Sequence, residues 1–546
     1  MEIQAIEHNE LTVRFHFIDN KNQEIPNLTL ESKYHSFKAD LKLDILVKGT
    51  CQLIYCSISP ILTIVAIFLQ NFVNVYYVTS TKNPVLISAF AVGTTFLNLF
   101  GYHVMFAFNN NLIALISQAH GAKDPYAVGI HFQRGLLFQF PLFIFLLIAI
   151  YLIDWIMMIF GQHLEQEVYQ NAKLFVQWSA VSVLLQGIYD VGRIYLCGQN
   201  HFGLPFYIKL VITFVNIFLA DTLIDKYGLV GLAFAKNIGE FVGVILLYVF
   251  ISKLDLRSWI SPSIQMWTKW WDYFKFNFSG GLALYLHYLY MEILTVFVSN
   301  LNDKSALNAH FSFLNLRPLL FAIPLGTSVS VTSFVGQSIG ENAKKKAQTA
   351  SLMGVIACNI YFLIQMAFGY WLSVPLKQFL SISDENEVVQ FDIIFNLYIF
   401  FIIYVESHQF MFTGIMKGCS QLKQNLTFYL VGFYFIGIPL VYILGIFTSL
   451  RLQGIWISYL TSNVIVCIFQ IMFFLRKDWD DFLKDIGVDL DKEFELPLID
   501  FDNNKQIHDS NNNYQHEETK LLQEQNYSPP SYDNAQYNSG SQLLTK

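Results

Sequence analysis

Long runs of apolar residues are the feature that most limits what this chain can fold into. Hydrophobic residues make up 54% of the 546 residues and charged residues only 14%. A helix needs roughly 20 mainly apolar residues to cross a bilayer, where its backbone groups must bond to one another. We therefore predict an all-α integral membrane protein with twelve transmembrane helices. The predicted spans lie near residues 50–78, 85–118, 133–159, 170–197, 204–225, 229–251, 274–299, 306–336, 349–373, 389–416, 424–447 and 453–475.

Basic residues between the spans predict the orientation of the chain. The loops on one side hold several lysines and arginines, such as Lys344, Lys345 and Lys346, whereas the opposite loops mostly hold one each. Positively charged loops stay in the cytoplasm, so both termini are predicted to be cytoplasmic. No apolar segment follows a basic start, and we expect no cleavable signal peptide.

Two distant stretches of the chain repeat the same pattern. LISQAHGAKD and FVGQSIGENAKKKAQ each place a glutamine three residues before a glycine, with lysine following, and they lie about 220 residues apart. The recurring positions are Gln118 and Gly121, Gln337 and Gly340, and Gly231 with Gly454. We infer a six-span unit written twice. Both copies then share one orientation, as in many secondary transporters, and a substrate cavity is expected between them.

The repeat also predicts the domain organisation. A cytoplasmic N-terminal segment covers 1–45, a first six-helix lobe 46–251, a linker 252–273, a second lobe 274–475 and a tail 476–546. The tail is rich in Asn, Gln, Ser, Asp and Glu. It holds too few apolar residues to form a core, so we predict that it is disordered and cytoplasmic.

Seven stretches, taken in order, resemble the multidrug and toxic compound extrusion (MATE) transporters, and the match is to a eukaryotic-type member. They are LISQAHGAKD, RIYLCGQNHFGLPFYI, GLVGLAFAKNI, IPLGTSVSVTSFVGQSIGENAKKKAQ, GIMKGCSQLKQN, FYFIGIPLVYILG and LQGIWISYL. The resemblance covers about residues 45–475. It implies a V-shaped fold of two six-helix lobes and cation-coupled efflux of organic, often cationic, compounds.

The first half departs from that family at its acidic positions. Where many prokaryotic members carry an aspartate late in the first span, this chain has Asn74. The family's Asn-x-x-x-Asp pattern corresponds to Asn216 and Asp221, which are one residue too far apart. On a helix, one extra residue turns a side chain by about 100°. We therefore do not expect proton coupling through the first lobe.

The second half holds the acidic residues that the resemblance implies. Glu292 matches the second of two glutamates in span seven, the first being replaced by His287, and Glu406 matches a glutamate in span ten. An acid inside a bilayer faces protein or a watery cavity, so these three are the candidate cation-coupling and substrate-binding residues. The alternative is a structural hydrogen bond, for example to Ser407 beside Glu406. Arg317 is expected to hold a carboxylate across the bundle.

Other charged residues inside the spans are expected to neutralise one another. Lys236 and Glu240 lie four residues apart on one helix, a spacing at which opposite charges pair. Asp190 and Arg193, near the end of span four, are expected to pair locally in the same way.

Taken together, these features predict a secondary antiporter. It would export organic compounds, mainly cationic or xenobiotic, in exchange for protons or Na⁺, and it would be a monomer. We expect no enzymatic activity, no metal site, no cofactor beyond the coupling ion and no nucleic-acid partner. The alternatives are a flippase or transporter of another substrate class with the same architecture, a membrane enzyme, and a channel or receptor. A lipid-carrier flippase would require a cavity rich in arginine and lysine.

Two short motifs in the tail predict protein partners. EETKLL, ending in Leu521 and Leu522, resembles an acidic dileucine signal for a sorting adaptor, and PPSY, with Pro529, Pro530 and Tyr532, resembles a WW-domain ligand. Both patterns also arise by chance in polar sequence. The expected location is the plasma membrane or a vacuolar or endolysosomal membrane.

Overall fold

The structure, a computed structural model, describes residues 43–160, 165–254, 256–379 and 384–485. The first 42 residues and the two tail motifs lie outside these ranges. The described residues are helical and include no β-strand. Numbered as in the prediction, spans one to four are Leu43–Ser80, Pro84–Gly121, Pro125–Tyr151 and Gln166–Cys197; five and six share Gly203–Lys253; seven to twelve are Trp270–Ser299, Lys304–Gly340, Lys344–Phe379, Glu385–Gly418, Leu422–Phe447 and Leu452–Arg476.

Shorter elements complete the described chain. A helix at Ile153–Phe160 follows span three, a 3₁₀ turn at Ile264–Trp267 lies in the linker, and a helix at Trp479–Asp485 follows span twelve. Wider π-helical turns interrupt spans two, ten and eleven, at Asn98–Tyr102, Tyr398–Ile402, Leu430–Gly437 and Ile443–Phe447.

A sharp bend at Gly228 explains how the eleven long apolar helices of the described residues provide twelve spans. Helix Gly203–Lys253 has 51 residues, and Gly228 inside it has φ 58° and ψ −138°, a conformation available mainly to glycine. A Cβ on Gly231 would lie 2.0 Å from the carbonyl oxygen of Leu223. Residues eight apart on a continuous helix could not approach so closely. The chain therefore doubles back into two spans, and the predicted twelve-helix fold is confirmed.

The second half repeats this turn with a different residue. Arg451 has φ 46° and ψ −116° just before span twelve. A Cβ on Gly454 would lie 2.2 Å from the carbonyl oxygen of Leu444. Gly231 and Gly454, the recurring glycines of the sequence, thus occupy equivalent hairpin turns.

Three apolar clusters form the core of the described chain. One fills the first lobe and continues onto spans seven, eight and ten, the second lies in the second lobe, and the third joins spans eight, nine and ten to span one. Span eight, Lys304–Gly340, is the most deeply buried long helix and packs against both lobes. In its C-terminal half, Val331 and Ile339 join Leu53 of span one and Met411 of span ten in the third cluster.

The packed region also extends past residue 476, where the sequence predicted the tail to begin. In helix Trp479–Asp485, Phe482 is fully buried and Leu483 is 2% exposed. The Asp480 carboxylate lies 2.7 Å from the Lys344 ammonium at the start of span nine. This short helix therefore closes over the same end of the bundle as the third cluster.

Candidate functional site

A cavity of about 410 Å³ lies between the two lobes, within the roughly 300–1,000 Å³ typical of small-molecule sites. The first lobe lines it through spans one, two, four and six, and the second lobe through spans seven and eight. In each span the lining residues lie in the half farther from Gln118 and Gln337. The polar and charged lining residues are Asn71, Asn74, Thr94, Asn98, Tyr102, His103, Lys236, Tyr288, Glu292, Asn315 and Arg317.

Glu292 is the carboxylate in the wall of this cavity. It is partly buried in span seven, and no hydrogen bond or ion pair to another described residue engages it. A carboxylate at this depth that has no protein partner is free to bind a cation or a proton from the cavity.

Both lobes contribute aromatic rings to the cavity lining, but the first lobe contributes more of them. The first lobe contributes Phe68, Phe72, Phe90, Tyr102 and Phe175. The second lobe contributes Tyr288 of span seven and Phe321 of span eight. The reason is geometric, because four first-lobe helices flank the cleft and only two second-lobe helices do. Organic substrates with flat apolar surfaces would therefore contact both lobes.

Glu406 is placed differently from Glu292. It is fully buried and does not line the cavity. Its Oε1 lies 2.5 Å from Nη2 of Arg317 and accepts a hydrogen bond from Tyr459, while the Tyr398 hydroxyl donates to Oε2 at 2.6 Å. Arg317, whose partner the sequence could not name, thus holds Glu406 across the second lobe. Three donors surround Glu406 in this conformation, and its contact with substrate stays a prediction.

His287 completes this cluster. It is fully buried, and its Nε2 lies 3.3 Å from Nη2 of Arg317 and 3.6 Å from Oε1 of Glu406. Its ring stacks on Phe321 at 5.7 Å between centroids and meets Phe433 edge-on at 5.3 Å. His287 is therefore packed as an aromatic ring behind the cavity wall. Among the described residues, no three His, Cys, Asp or Glu side chains are grouped to hold a metal ion.

The first-lobe candidates do not form one site. Asn74 lines the cavity, but Asn216 is fully buried away from it and neither of its amide atoms has a hydrogen-bond partner in the described chain. Asp221 is exposed beyond it, on another side of the helix. The extra residue between Asn216 and Asp221 thus separates the pair.

The pairing predicted between Lys236 and Glu240 is wrong. Glu240 instead lies 2.7 Å from the ammonium of Lys209, and both side chains are fully buried. The hairpin at Gly228 brings span five against span six, so Lys209 reaches Glu240 from the facing helix. By contrast, Arg193 does bind Asp190 locally, with Nε and Oδ1 3.0 Å apart.

The repeated glutamines join the lobes at the end of the bundle opposite the cavity. Nε2 of Gln118 donates to the carbonyl oxygen of Gly418 at 2.7 Å and to the hydroxyl of Ser420 at 2.9 Å. In the reciprocal contact, Nε2 of Gln337 donates to the carbonyl oxygen of Gly198 at 3.1 Å and to Oδ1 of Asn200 at 2.9 Å. Each glutamine thus caps the end of span four or ten in the other lobe; we call these two contacts the inner closure.

The glycines of the same motif allow the two backbones to touch. A Cβ on Gly121 would lie 2.1 Å from the carbonyl oxygen of Gln337, and one on Gly340 would lie 2.0 Å from that of Gln118. The repeated sequence therefore encodes one contact twice, related by exchange of the lobes. The sequence showed the motif, whereas Asn200, Ser420, Tyr398 and Tyr459 gave no signal that marked them as partners.

Known proteins support the same assignment of fold and family. The family model described as MatE matches residues 60–221 and 281–443, once in each half of the chain. Protein DETOXIFICATION 49 of Arabidopsis thaliana is 24% identical over 433 residues, covering 78% of this chain and 85% of the relative. Multidrug and toxin extrusion protein 1 of Xenopus tropicalis is 23% identical over 456 residues, covering 82% and 77%.

Solved structures share the architecture. The eukaryotic MATE transporter AtDTX14 superposes with a TM-score of 0.73 at 19% identity, covering 81% of this chain and 98% of that one. A multidrug resistance MATE family transporter in an outward-facing conformation gives 0.70 at 17% identity, covering 80% and 97%. At these identities the likeness shows the fold.

Proposed function

Since the chain belongs to the MatE family of multi-pass membrane transporters and is therefore a transporter rather than an enzyme, we propose that it exports organic cations in exchange for protons or Na⁺. The observation that carries this proposal is Glu292, the carboxylate without a protein partner in the cavity between the lobes. A substrate cation and a coupling ion would compete for it.

The competition would supply the coupling. An ionised Glu292 attracts a cationic substrate, and a carboxyl group that has taken up a proton no longer does. Binding of the ion from one side thus weakens the hold on the substrate, which gives the two states the different affinities that coupled transport requires.

The position of the inner closure supports the direction of this cycle. With both termini cytoplasmic, as the basic loops predict, the closure lies on the cytoplasmic side and the cavity in the opposite half of the bundle. The structure would then represent the outward-facing state. Rupture of the closure and approach of the lobes at the other end would complete alternating access.

A flippase for lipid carriers is less well supported by this cavity. A diphosphate group would favour several unpaired cations, but Arg317 is neutralised by Glu406 at 2.5 Å. Lys236 is then the one lining lysine or arginine of the described residues without a carboxylate partner.

The test is efflux of a fluorescent organic cation from proteoliposomes under an imposed proton gradient and, separately, a Na⁺ gradient. Glu292→Gln keeps the size of the side chain and removes its charge and titration. We expect it to reduce gradient-driven efflux at least about tenfold, because a charge-assisted contact is worth roughly 1.5–3 kcal/mol and 1.4 kcal/mol is a factor of ten.

Asp221→Asn is the matched control, since Asp221 is exposed outside the cavity and should leave efflux unchanged. If efflux by Glu292→Gln depends on the gradient in the same way as efflux by the unmodified protein, Glu292 has no part in the mechanism. Absence of movement under either gradient in the unmodified protein would contradict the antiporter itself.

A further inference from the structure

Lys236 is a cation in the cavity wall that ion exchange at Glu292 does not use. It lies in span six, two turns after the hairpin at Gly228, and 9% of its surface is exposed. Its ammonium lies 3.9 Å from the ring centroid of Tyr102 and 3.4 Å from Oδ1 of Asn71. Neither contact neutralises the ammonium, and a buried charge is usually paired with an opposite charge.

The protein does not provide that counter-ion in this conformation. Glu240, one turn further along the helix, is held by Lys209 at 2.7 Å. Glu292 lines the same cavity from the other lobe, but it forms no ion pair with Lys236 within 4.0 Å in the described chain. The ammonium thus faces the cavity without a carboxylate beside it.

The other polar groups of the first-lobe wall are amides, hydroxyls and the imidazole ring of His103. Asn71, Asn74 and Asn98 line the same cavity as Lys236, and the described residues of that wall include no aspartate or glutamate. Amide nitrogens donate hydrogen bonds to oxyanions, and an ammonium adds the charge.

Charge across the cavity is therefore divided between the lobes. The first-lobe wall offers a cation among amides, and the second-lobe wall offers the Glu292 carboxylate, while the Arg317 charge is compensated by Glu406. We propose that Lys236 binds an anionic group of the substrate, such as a carboxylate, so that preferred substrates are zwitterions with their positive end towards Glu292. This inference rests on the proposed function and specifies the substrate class of the same cavity.

The test compares two dyes that differ in one charge. A rhodamine with a free benzoate is zwitterionic, and its methyl ester is a cation of nearly the same shape. Binding of each to the purified full-length protein is measured by fluorescence anisotropy, and efflux is measured in proteoliposomes. We expect the unmodified protein to bind the acid more tightly than the ester.

Lys236→Met keeps the length of the side chain and removes its charge. We expect it to weaken binding of the acid by about tenfold or more, as for loss of a charge-assisted contact, and to leave binding of the ester unchanged or tighter. Lys236→Arg should keep the preference for the acid. Lys226→Met, the same change at an exposed position of the same helix, should alter neither dye.

The outcomes separate this inference from the proposed function. If Lys236→Met loses binding of both dyes equally, the inference is overturned, and Lys236 acts in folding or in a contact between the lobes. An unchanged ratio of the affinities for the acid and the ester in Lys236→Met would overturn it as well, even if both dyes are exported. A selective loss of the acid would support it even where neither gradient drives efflux, since that second result counts against the coupling alone.

Discussion

Glu292 and Glu406 both interrupt apolar helices, yet only Glu406 is surrounded by hydrogen-bond donors. The difference arises from the neighbouring helices. Span eight presents Arg317 to Glu406, and the hydroxyls of Tyr398 and Tyr459 also donate hydrogen bonds to its carboxylate. No described side chain approaches Glu292 in this way. At the scale of residues, the Glu406 carboxylate therefore stabilises the second lobe, whereas the Glu292 carboxylate is left available to ligands.

The Arg317–Glu406 pair should be a strong determinant of stability. Removal of one partner leaves the other charge buried and unpaired, so we expect Arg317→Met and Glu406→Gln each to lower the free energy of unfolding by about 3–5 kcal/mol. Thermal unfolding of the purified protein in detergent measures the loss.

The double variant Arg317→Met with Glu406→Gln should recover most of that loss, since no unpaired charge remains. Glu292→Gln serves as the control and should unfold near the temperature of the unmodified protein. Losses that simply add in the double variant would show that the two residues act independently.

The helices could be predicted from the sequence more fully than the contacts between them. Apolar run lengths and the repeat predict twelve spans in two lobes, because the bilayer fixes the length of a span and duplication fixes the pairing of halves. The hairpin at Gly228 brings Lys209 to Glu240, whereas the sequence shows only that Lys236 lies one turn away from that acid. Partners from different helices depend on tertiary packing, which local spacing does not encode.

At the scale of elements, the two hairpin turns show how duplication tolerates a change. Gly228 adopts φ 58° freely, whereas Arg451 holds φ 46° at its equivalent position and donates through Nη2 to the carbonyl oxygen of Leu301 at 2.8 Å. The contact helps to offset backbone strain of about 1–3 kcal/mol. The turn in the first half thus relies on the conformational freedom of glycine, and the turn in the second half relies on a hydrogen bond from the arginine side chain.

The inner closure gives a prediction at the same scale. Gly340→Ala places a methyl group 2.0 Å from the Gln118 carbonyl oxygen, and the backbone there cannot yield as a side chain would. We expect the closed state to lose about 1–3 kcal/mol, as in overpacked cores. Cys419 is fully buried at this end, so it should react faster with a soluble maleimide, as measured by peptide mass spectrometry.

Gly203→Ala is the matched control, because nothing lies within 4 Å of the Cβ it would introduce. Labelling of Cys419 should stay slow in that variant. Equal rates for Gly340→Ala and the unmodified protein would contradict the assignment of this contact as a closure.

For the whole molecule, the short helix after span twelve sets where the chain can be shortened. Trp479–Asp485 buries Phe482 and Leu483 against the inner ends of the spans, and Asp480 binds Lys344. Although the sequence placed the start of the tail at 476, these contacts belong to the folded transporter.

Truncation after residue 485 should therefore leave thermal stability and efflux unchanged. Truncation after residue 478 removes two buried side chains and should cost about 2–5 kcal/mol, in the range of large core deletions. The pair of variants differs by one seven-residue helix, and unfolding temperatures compare them directly. Equal stability of the two would show that the helix adds nothing to the fold.

Because the inner closure consists of two equivalent contacts, it also affects the leakage of ions through the protein. Two equivalent contacts, one from each glutamine, sit on opposite sides of the axis that relates the lobes. Thermal motion that breaks one contact leaves the other in place, and the passage stays shut. An ion gradient across the membrane would then be dissipated through the protein only when both contacts break together. Redundancy of this kind would let a transporter rest for long periods in a membrane without short-circuiting it.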